Sequence, residues 1–306
     1  MAIDSFWLVL ALISPFLFTV FWTFSATGSP FTASFPTLYN KRICLLIAHP
    51  DDEAMFFSPS VLALTRPELG NHVKILCLST GDADGLGEIR KKEIQKSAVH
   101  LGLRNESDVF VIDDRSRFPD SMSAEWSVRD VSSLLASAFA PEISSSSADD
   151  DGAPKATIDV ILTFDEGGIS NHPNHRSLYH GAVAFLKALM KGKSGYSCPV
   201  ALYTLTTTNI VRKYSGVFDA PLTMVIGAVA NIGDSLLAFS SKKTVAAAAK
   251  DSGFASRLLY VSSFNQWTKA RTAMTDGHKS QMLWFRWGWI TIGRYMFVND
   301  LKRVKV

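Results

Sequence analysis

Cysteine is scarce in this sequence: 306 residues contain three, at positions 44, 77 and 198. So odd and widely spaced a set speaks against a disulfide framework or a cysteine-built zinc site, and it suits a reducing compartment. An excess of charge of one sign is also missing. The net charge of +3 argues against a nucleic-acid polyanion as the main partner. Internal repeats are absent. The turn after the first predicted strand lacks the glycines that a dinucleotide-binding fold would need for its phosphates. The length allows one large domain or two small ones.

What is present begins with a long apolar run. Phe6 to Phe24 holds 19 residues without a charge, about the ~20 that cross a bilayer as a helix. A signal peptide is the rival reading, with a buried or interfacial helix as a third. Against the signal peptide, MAIDS carries an acid and no base, and the apolar run is too long. Residues 1–24 are therefore expected to be a membrane anchor, with Trp7, Phe21, Trp22 and Phe24 near the interfaces. Pro15 would bend such a helix, which membranes tolerate. Lys41 and Arg42 are the first basic residues after it, which places the C-terminal bulk in the cytosol. Residues 25–41, rich in Ser, Thr, Pro and Gly, read as a linker.

Beyond the linker, strands are predicted at Arg42–Ala48, His72–Thr80, Asp108–Ile112, Thr157–Phe164 and Val200–Thr206. Helices are predicted at Asp52–Thr65, Glu88–Leu101, Trp126–Phe139 and His175–Met190. Near-continuous apolar strands alternating with helices indicate an α/β fold, a Rossmann-like, mostly parallel sheet with helices on both faces. Residues 144–156 are polar and low in complexity, and read as a mobile insertion. Ligands in such sheets sit at the carboxyl ends of strands. AHPDDE, STGDADGLG and FDEGGISNHPNH all fall there.

In His49-Pro50-Asp51-Asp52-Glu53, proline restricts the preceding histidine to extended geometry. The chain can then turn so that His49 and Asp52 face one point, as zinc ligands would. One histidine of His172-Pro173-Asn174-His175 would complete the set, and spacing leaves open which. A solvated turn and a helix N-cap are the plain alternatives for the two clusters taken singly. Their joint placement at adjacent strand ends favours the metal. Asp51 is then free as general base, and the second histidine can face an oxyanion or protonate a leaving amine. Glu53 has no assigned place beyond holding a ligand histidine in its tautomer.

In Gly81-Asp82-Ala83-Asp84-Gly85-Leu86-Gly87 two aspartates argue against a phosphate cradle and for recognition of sugar hydroxyls. Asp82, Asp84 and Arg90 are the substrate-binding candidates, with Arg90 and Glu93 three apart on the next helix; an exposed ion pair is the bland alternative. Trp284, Trp287 and Trp289, flanked by Arg286 and Arg294, suit a membrane surface, aromatics at headgroup depth; a buried aromatic helix is the alternative. Residues 221–240 are apolar but interrupted by Asn231 and Asp234, and read as a packed or interfacial segment.

In their order, AHPDDE, GDADGLGEIRKKE, FDEGGISNHPNHRS and HKSQMLWFRWGWITIGRYM resemble the eukaryotic PIG-L deacetylases. These are the N-acetylglucosaminylphosphatidylinositol de-N-acetylases of GPI-anchor synthesis, within the LmbE-like zinc deacetylases. The resemblance spans residues 42–299 and leaves 300–306 as a basic tail. It implies a Rossmann-like fold and a divalent metal, usually zinc. It also implies His49, Asp52 and His175 as metal ligands, Asp51 as base and His172 facing the oxyanion. An endoplasmic-reticulum membrane protein is implied, single-pass, its catalytic domain facing the cytosol. The expected substrate is GlcNAc-phosphatidylinositol, and the expected products are acetate and the free amine. A deacetylase of another acetylamino-sugar conjugate and a non-catalytic membrane scaffold are the rivals. One departure is Asp82, where the family usually has Asn.

Overall fold

The structure is a computed structural model that describes residues 35–144, 152–240 and 253–306, together with scattered positions and short runs between 7 and 32. The strands are β1 (Arg42–Ile47), β2 (His72–Cys77), β3 (Val109–Val111), β4 (Val160–Phe164), β5 (Ala201–Leu205), β6 (Arg257–Val261) and β7 (Val298–Val304). They form one sheet in the order β3-β2-β1-β4-β5-β7-β6. The first five are parallel, and β7 pairs antiparallel with both β5 and β6. β4 and β5 are buried at every position, so both faces of the sheet are covered, as a parallel sheet requires.

The helices are α1 (Asp52–Met55), α2 (Ser58–Leu64), α3 (Gly87–His100), α4 (Val128–Phe139), α5 (Gly168–Asn171), α6 (Pro173–Leu189), α7 (Ile210–Lys213), α8 (Asp219–Ser240), α9 (Phe264–Thr272) and α10 (Trp284–Ile292). The single helix expected over 52–65 is two. Pro59 stands in the first turn of α2; it has no N–H to continue α1, and its ring would clash with a carbonyl one turn back.

Two strands are additions to the sequence reading. β7 takes in residues 300–304, which were expected to be a tail, and inserts them between β5 and β6. Its first four residues are buried, because backbone pairing on both sides holds a strand inside even where its composition is polar. The described part of 25–41 is not a free linker either. Thr27 N–H donates to Val261 O at 2.8 Å, Val261 N–H to Thr27 Oγ1 at 2.7 Å, and Leu38 joins the core.

About half of segment 6–24 lies outside the described residues, as does most of the 144–156 insertion. Trp22 packs its ring against Phe264, Trp267 and Phe297, and its Nε1–H donates to Ser262 O at 2.6 Å. Among the described residues no helix is long and apolar enough to cross a membrane.

Candidate active site

β2 and β4 flank β1 on opposite sides, so the chain leaves β1 at the point where the strand order reverses. A crevice forms there outside the carboxyl ends of the strands. His49 to Glu53 follow β1, and the segment leading to His172 and His175 follows β4.

Asp52 is 2 % exposed. Its Oδ2 accepts the backbone N–H of Ala48 at 3.0 Å and of His49 at 2.9 Å, which leaves Oδ1 to face the crevice. Burial opposes its ionisation, but the positive charge of His175 and His49 when protonated, with the His49 backbone N–H, outweighs this and pulls its pKa down to about 2. The His175 ring stacks flat on Phe164, 3.8 Å between centroids. Its Nδ1–H donates to Gly168 O at 3.2 Å. In the neutral imidazole its Nε2 then presents a lone pair 3.3 Å from Asp52 Oδ1. That nitrogen is buried and has no hydrogen-bond partner. A lone pair facing a carboxylate is repulsive unless a cation sits between them.

His49 is oriented by residues the sequence reading did not assign. Asn174 is fully buried. Its Nδ2 donates to Ala124 O at 2.9 Å, so its Oδ1 accepts, from Ser121 N–H at 3.3 Å and from His49 Nε2–H at 3.0 Å. Asp120 adds a second acceptor 3.3 Å from the same His49 nitrogen. The proton is thereby fixed on Nε2, and Nδ1 turns its lone pair inward, 3.8 Å from Asp52. Burial lowers the His49 pKa, yet Asp120 and Asp52 together raise it above the ordinary value. Asp120 lies in turn below the usual carboxylate range, chiefly through its bond to His49. Among the described residues His49, Asp52 and His175 form the one group able to hold a metal ion, their ligand atoms within 4.8 Å of one another. Two imidazoles and one carboxylate fit a divalent cation of the zinc type with a position left open.

His172 caps α6, its Nδ1 accepting Asn174 N–H at 3.2 Å. The ring lies 5.0 Å from His49 and 4.7 Å from His175. Burial and then the neighbouring imidazoles push its pKa down to about 4. It is therefore neutral near pH 7, with the remaining proton on Nε2 as a donor.

Asp51 is 5 % exposed and has φ 116°, a left-handed conformation that is strained for any residue with a side chain. Glu53 holds that turn, accepting Asp51 N–H at Oε2 at 3.1 Å. Its Oε1 accepts from Ser97 Oγ and from His278 Nε2, the latter at 2.6 Å. The expectation that Glu53 steadies a ligand histidine is corrected. It grips His278, itself backed by Gln281 at 2.8 Å, because α1 turns its side chain away from the crevice towards α3. Asp51 Oδ2 accepts from Arg286 Nη1.

The substrate-binding candidates come together beside this centre, but not as free side chains. Asp82 Oδ1 accepts Gly87 N–H at 2.6 Å, and its Oδ2 pairs with Arg115. Asp84 bonds Arg90 Nη2 at 3.2 Å, while Arg90 Nη1 donates to Gly81 O and stands 3.9 Å from Asp120. Gly81 has φ +65°, and a Cβ there would meet Arg90 and Pro50 at 3.0–3.1 Å. A cavity of about 140 Å³ opens between Asp82, Asp120 and Phe118.

Trp284 is 85 % and Trp287 49 % exposed. Trp289 is corrected: it is buried, donating from Nε1 to Met55 O at 3.0 Å and stacking on Tyr295. Five residues on from Trp284, it falls on the opposite side of α10, towards the core.

The family model described as PIG-L, GlcNAc-PI de-N-acetylase, matches residues 44–186. The N-acetylglucosaminyl-phosphatidylinositol de-N-acetylase of Arthroderma benhamiae is 59% identical, over 95% of this chain and 96% of that protein. The chain belongs to the PIG-L family. The Bos taurus protein of the same name is 34% identical over 85% of this chain and 83% of its own. Among solved structures, N,N'-diacetylchitobiose deacetylase from Pyrococcus horikoshii superposes with a TM-score of 0.48 at 17% identity. That match covers 86% of this chain and 84% of the other. Of the residues this PIG-L chain brings into contact around Asp52, Asp120 and Asn174 gave no readable signal; Asn174 lay inside the HPNH motif, but its amide could not be aimed from spacing.

Proposed function

We propose that this protein hydrolyses the N-acetyl group of GlcNAc-phosphatidylinositol to give GlcN-phosphatidylinositol and acetate, the second step of GPI-anchor synthesis. The relatives named above carry that activity in their names. The observation that carries the reading to this chain is the buried, partnerless Nε2 of His175 facing Asp52, the signature of a site built round a cation.

His49 Nδ1, Asp52 Oδ1 and His175 Nε2 would hold a divalent cation, zinc in this reading. Bound there, the ion polarises the amide carbonyl and acidifies a water. Asp51 accepts the proton of the attacking water as general base. The water oxygen forms the new C–O bond while the carbonyl π pair moves onto oxygen, and His172 Nε2–H donates to that oxyanion. Collapse breaks the C–N bond, and the proton held by Asp51 passes to the departing amine. The cavity beside Asp82 and Asp120 receives ring hydroxyls, with the Asp84–Arg90 pair outside its lining and Arg90 3.9 Å from Asp120.

The lipid would reach the site from the side of α10. Trp284, Phe285 and Trp287 are exposed there, as are Phe218, Leu222, Val225 and Val229 at and along α8. Phe18 of the N-terminal segment packs on Phe218, 5.1 Å between ring centroids. A patch of this kind beside Arg271, which bonds Thr291 of α10 at 2.9 Å, suits the headgroup layer of a bilayer. The reading extends to residues 1–24 as a single-pass anchor in the endoplasmic-reticulum membrane, catalytic domain in the cytosol, supported by the charge-free run at Phe6–Phe24.

The test is release of acetate from GlcNAc-phosphatidylinositol by the purified full chain, with metal content measured before and after chelation. A chain that holds metal but releases no acetate would sink the assignment. Turnover of soluble acetylamino-sugars alone would point to the other conjugate class.

A further inference from the structure

Arg286 lies on α10 among exposed aromatics, yet its own side chain turns inward and is 18 % exposed. Its Nη1 donates to Asp51 Oδ2. The pairing is incomplete. Arg42–Asp159, Arg212–Asp219 and Arg257–Asp300 are forked, each using Nε and Nη2 on the two carboxylate oxygens. Arg286 meets Asp51 through one nitrogen only, and its Nε is buried without a partner. An arginine built as a static strut would place its fork on the carboxylate, where two parallel bonds form. Here half of the fork is aimed elsewhere.

The pair also carries a chemical contradiction. A carboxylate held by a guanidinium is a weak proton acceptor, yet Asp51 is the group placed to take the proton of water. Burial pushes the Arg286 guanidinium down to about 10, so it keeps its charge at neutral pH and cannot leave Asp51 free by losing a proton. The guanidinium needs another anion. The glycolipid reading supplies one: the phosphodiester on the inositol, one ring away from the sugar that bears the acetamide.

We propose that Arg286 is the phosphodiester-binding residue of this site, parked on Asp51 in the free protein and drawn onto the lipid phosphate when substrate enters. The exchange moves no covalent bond. It trades a single Nη1–carboxylate bond for a two-pronged guanidinium–phosphate contact that also uses Nε, and it leaves Asp51 unpaired at the moment a proton must be taken. The substrate binds one of two arrangements better and shifts the population to it. Because Arg286 sits on the exposed aromatic helix, the residue that reads the headgroup is carried by the element nearest the lipid.

The inference rests on the glycolipid reading, and its test separates the two. Steady-state deacetylation is compared on GlcNAc-phosphatidylinositol and on GlcNAc-inositol, which lacks the phosphate, with wild type, Arg286→Gln and Arg286→Lys. Wild type should favour the phosphodiester substrate in kcat/KM by about 10- to 100-fold, the range of a charged hydrogen-bonded contact. Arg286→Gln should bring that ratio close to one, losing on the lipid while holding or gaining on the neutral sugar, with metal content unchanged. Arg286→Lys should restore part of the ratio. An Arg286→Gln variant that slows both substrates equally and keeps the preference overturns the proposal. So does a wild type with no preference, which leaves the deacetylase reading standing and decides the matter even if the variants fail to fold. Wild type inactive on both substrates removes the deacetylase reading and this proposal together.

Discussion

His175 Nε2 points at Asp52 Oδ1 across 3.3 Å and is buried without a hydrogen-bond partner. Gly168 O holds the imidazole proton on the far nitrogen and Phe164 fixes the plane of the ring. With the imidazole neutral, that contact is repulsive, and it becomes attractive with a cation between the two atoms.

Removing the cation should therefore cost both activity and stability. Chelation is expected to abolish deacetylation and lower the melting temperature, and added zinc to restore both. Asp52→Asn and His175→Ala should bind no stoichiometric metal. Asp120→Asn should still bind it, about 10- to 100-fold more weakly, since Asp120 acts on the metal through the orientation of His49. Metal analysis after gel filtration checks the series.

Metal affinity should fall with acid. His49 is raised above the ordinary histidine value and must lose its proton to become a ligand. Affinity is then flat above that raised pKa and declines by about tenfold per pH unit below it. Asp52, at about 2, adds no further loss until far lower pH. Zinc competition titrations between pH 8 and 5 read this directly, and an affinity unchanged down to pH 5 would contradict it.

Asp51→Asn should retain metal and fold while turnover falls by about 10²–10⁴. Asparagine has the same shape as aspartate, so it bears the φ of 116° with no added strain. Near-normal acetate release by this variant would remove Asp51 as the base.

Glu53→Ala should destabilise the protein more than it alters binding. It leaves buried Ser97 and His278 and the Asp51 amide without their acceptor, a cost of about 1–3 kcal/mol for each buried group stranded. Urea unfolding measures the loss. Turnover should fall with it, because the turn carrying Asp51 is no longer clamped.

The tryptophans of α10 should separate cleanly. Trp284→Ala and Trp287→Ala are expected to weaken binding to anionic vesicles with little change in melting temperature. Trp289→Ala should destabilise by about 3–5 kcal/mol, since that ring is enclosed by Phe56, Tyr214 and Tyr295.

Much of this protein was legible in order along the chain. The apolar runs at Ile43–Ile47 and Val160–Phe164 made a parallel sheet readable, and the histidines and acids directly after them marked the crevice. Local sequence could do this because strand period, proline geometry and the position of a strand end are properties of adjacent residues. It could not aim a side chain whose partner lies far away. Asp120 and Asn174 meet His49 across 71 and 125 positions, Glu53 meets His278 across 225, and Arg286 reaches Asp51 across 235. β7 was missed for the same reason: its place depends on β5 and β6 rather than on its own composition.

The sequence by itself determined which chemistry could be present, because ligand and base types are set by side-chain identity and their nearness by the strand that delivers them. Tertiary structure alone decided how these groups are aimed and tuned: which nitrogen of each histidine faces Asp52, that burial lowers the His172 pKa, and that Asp51 pairs with Arg286. Those outcomes follow from burial and from hydrogen bonds between distant segments, whose energies exist only once the chain has folded.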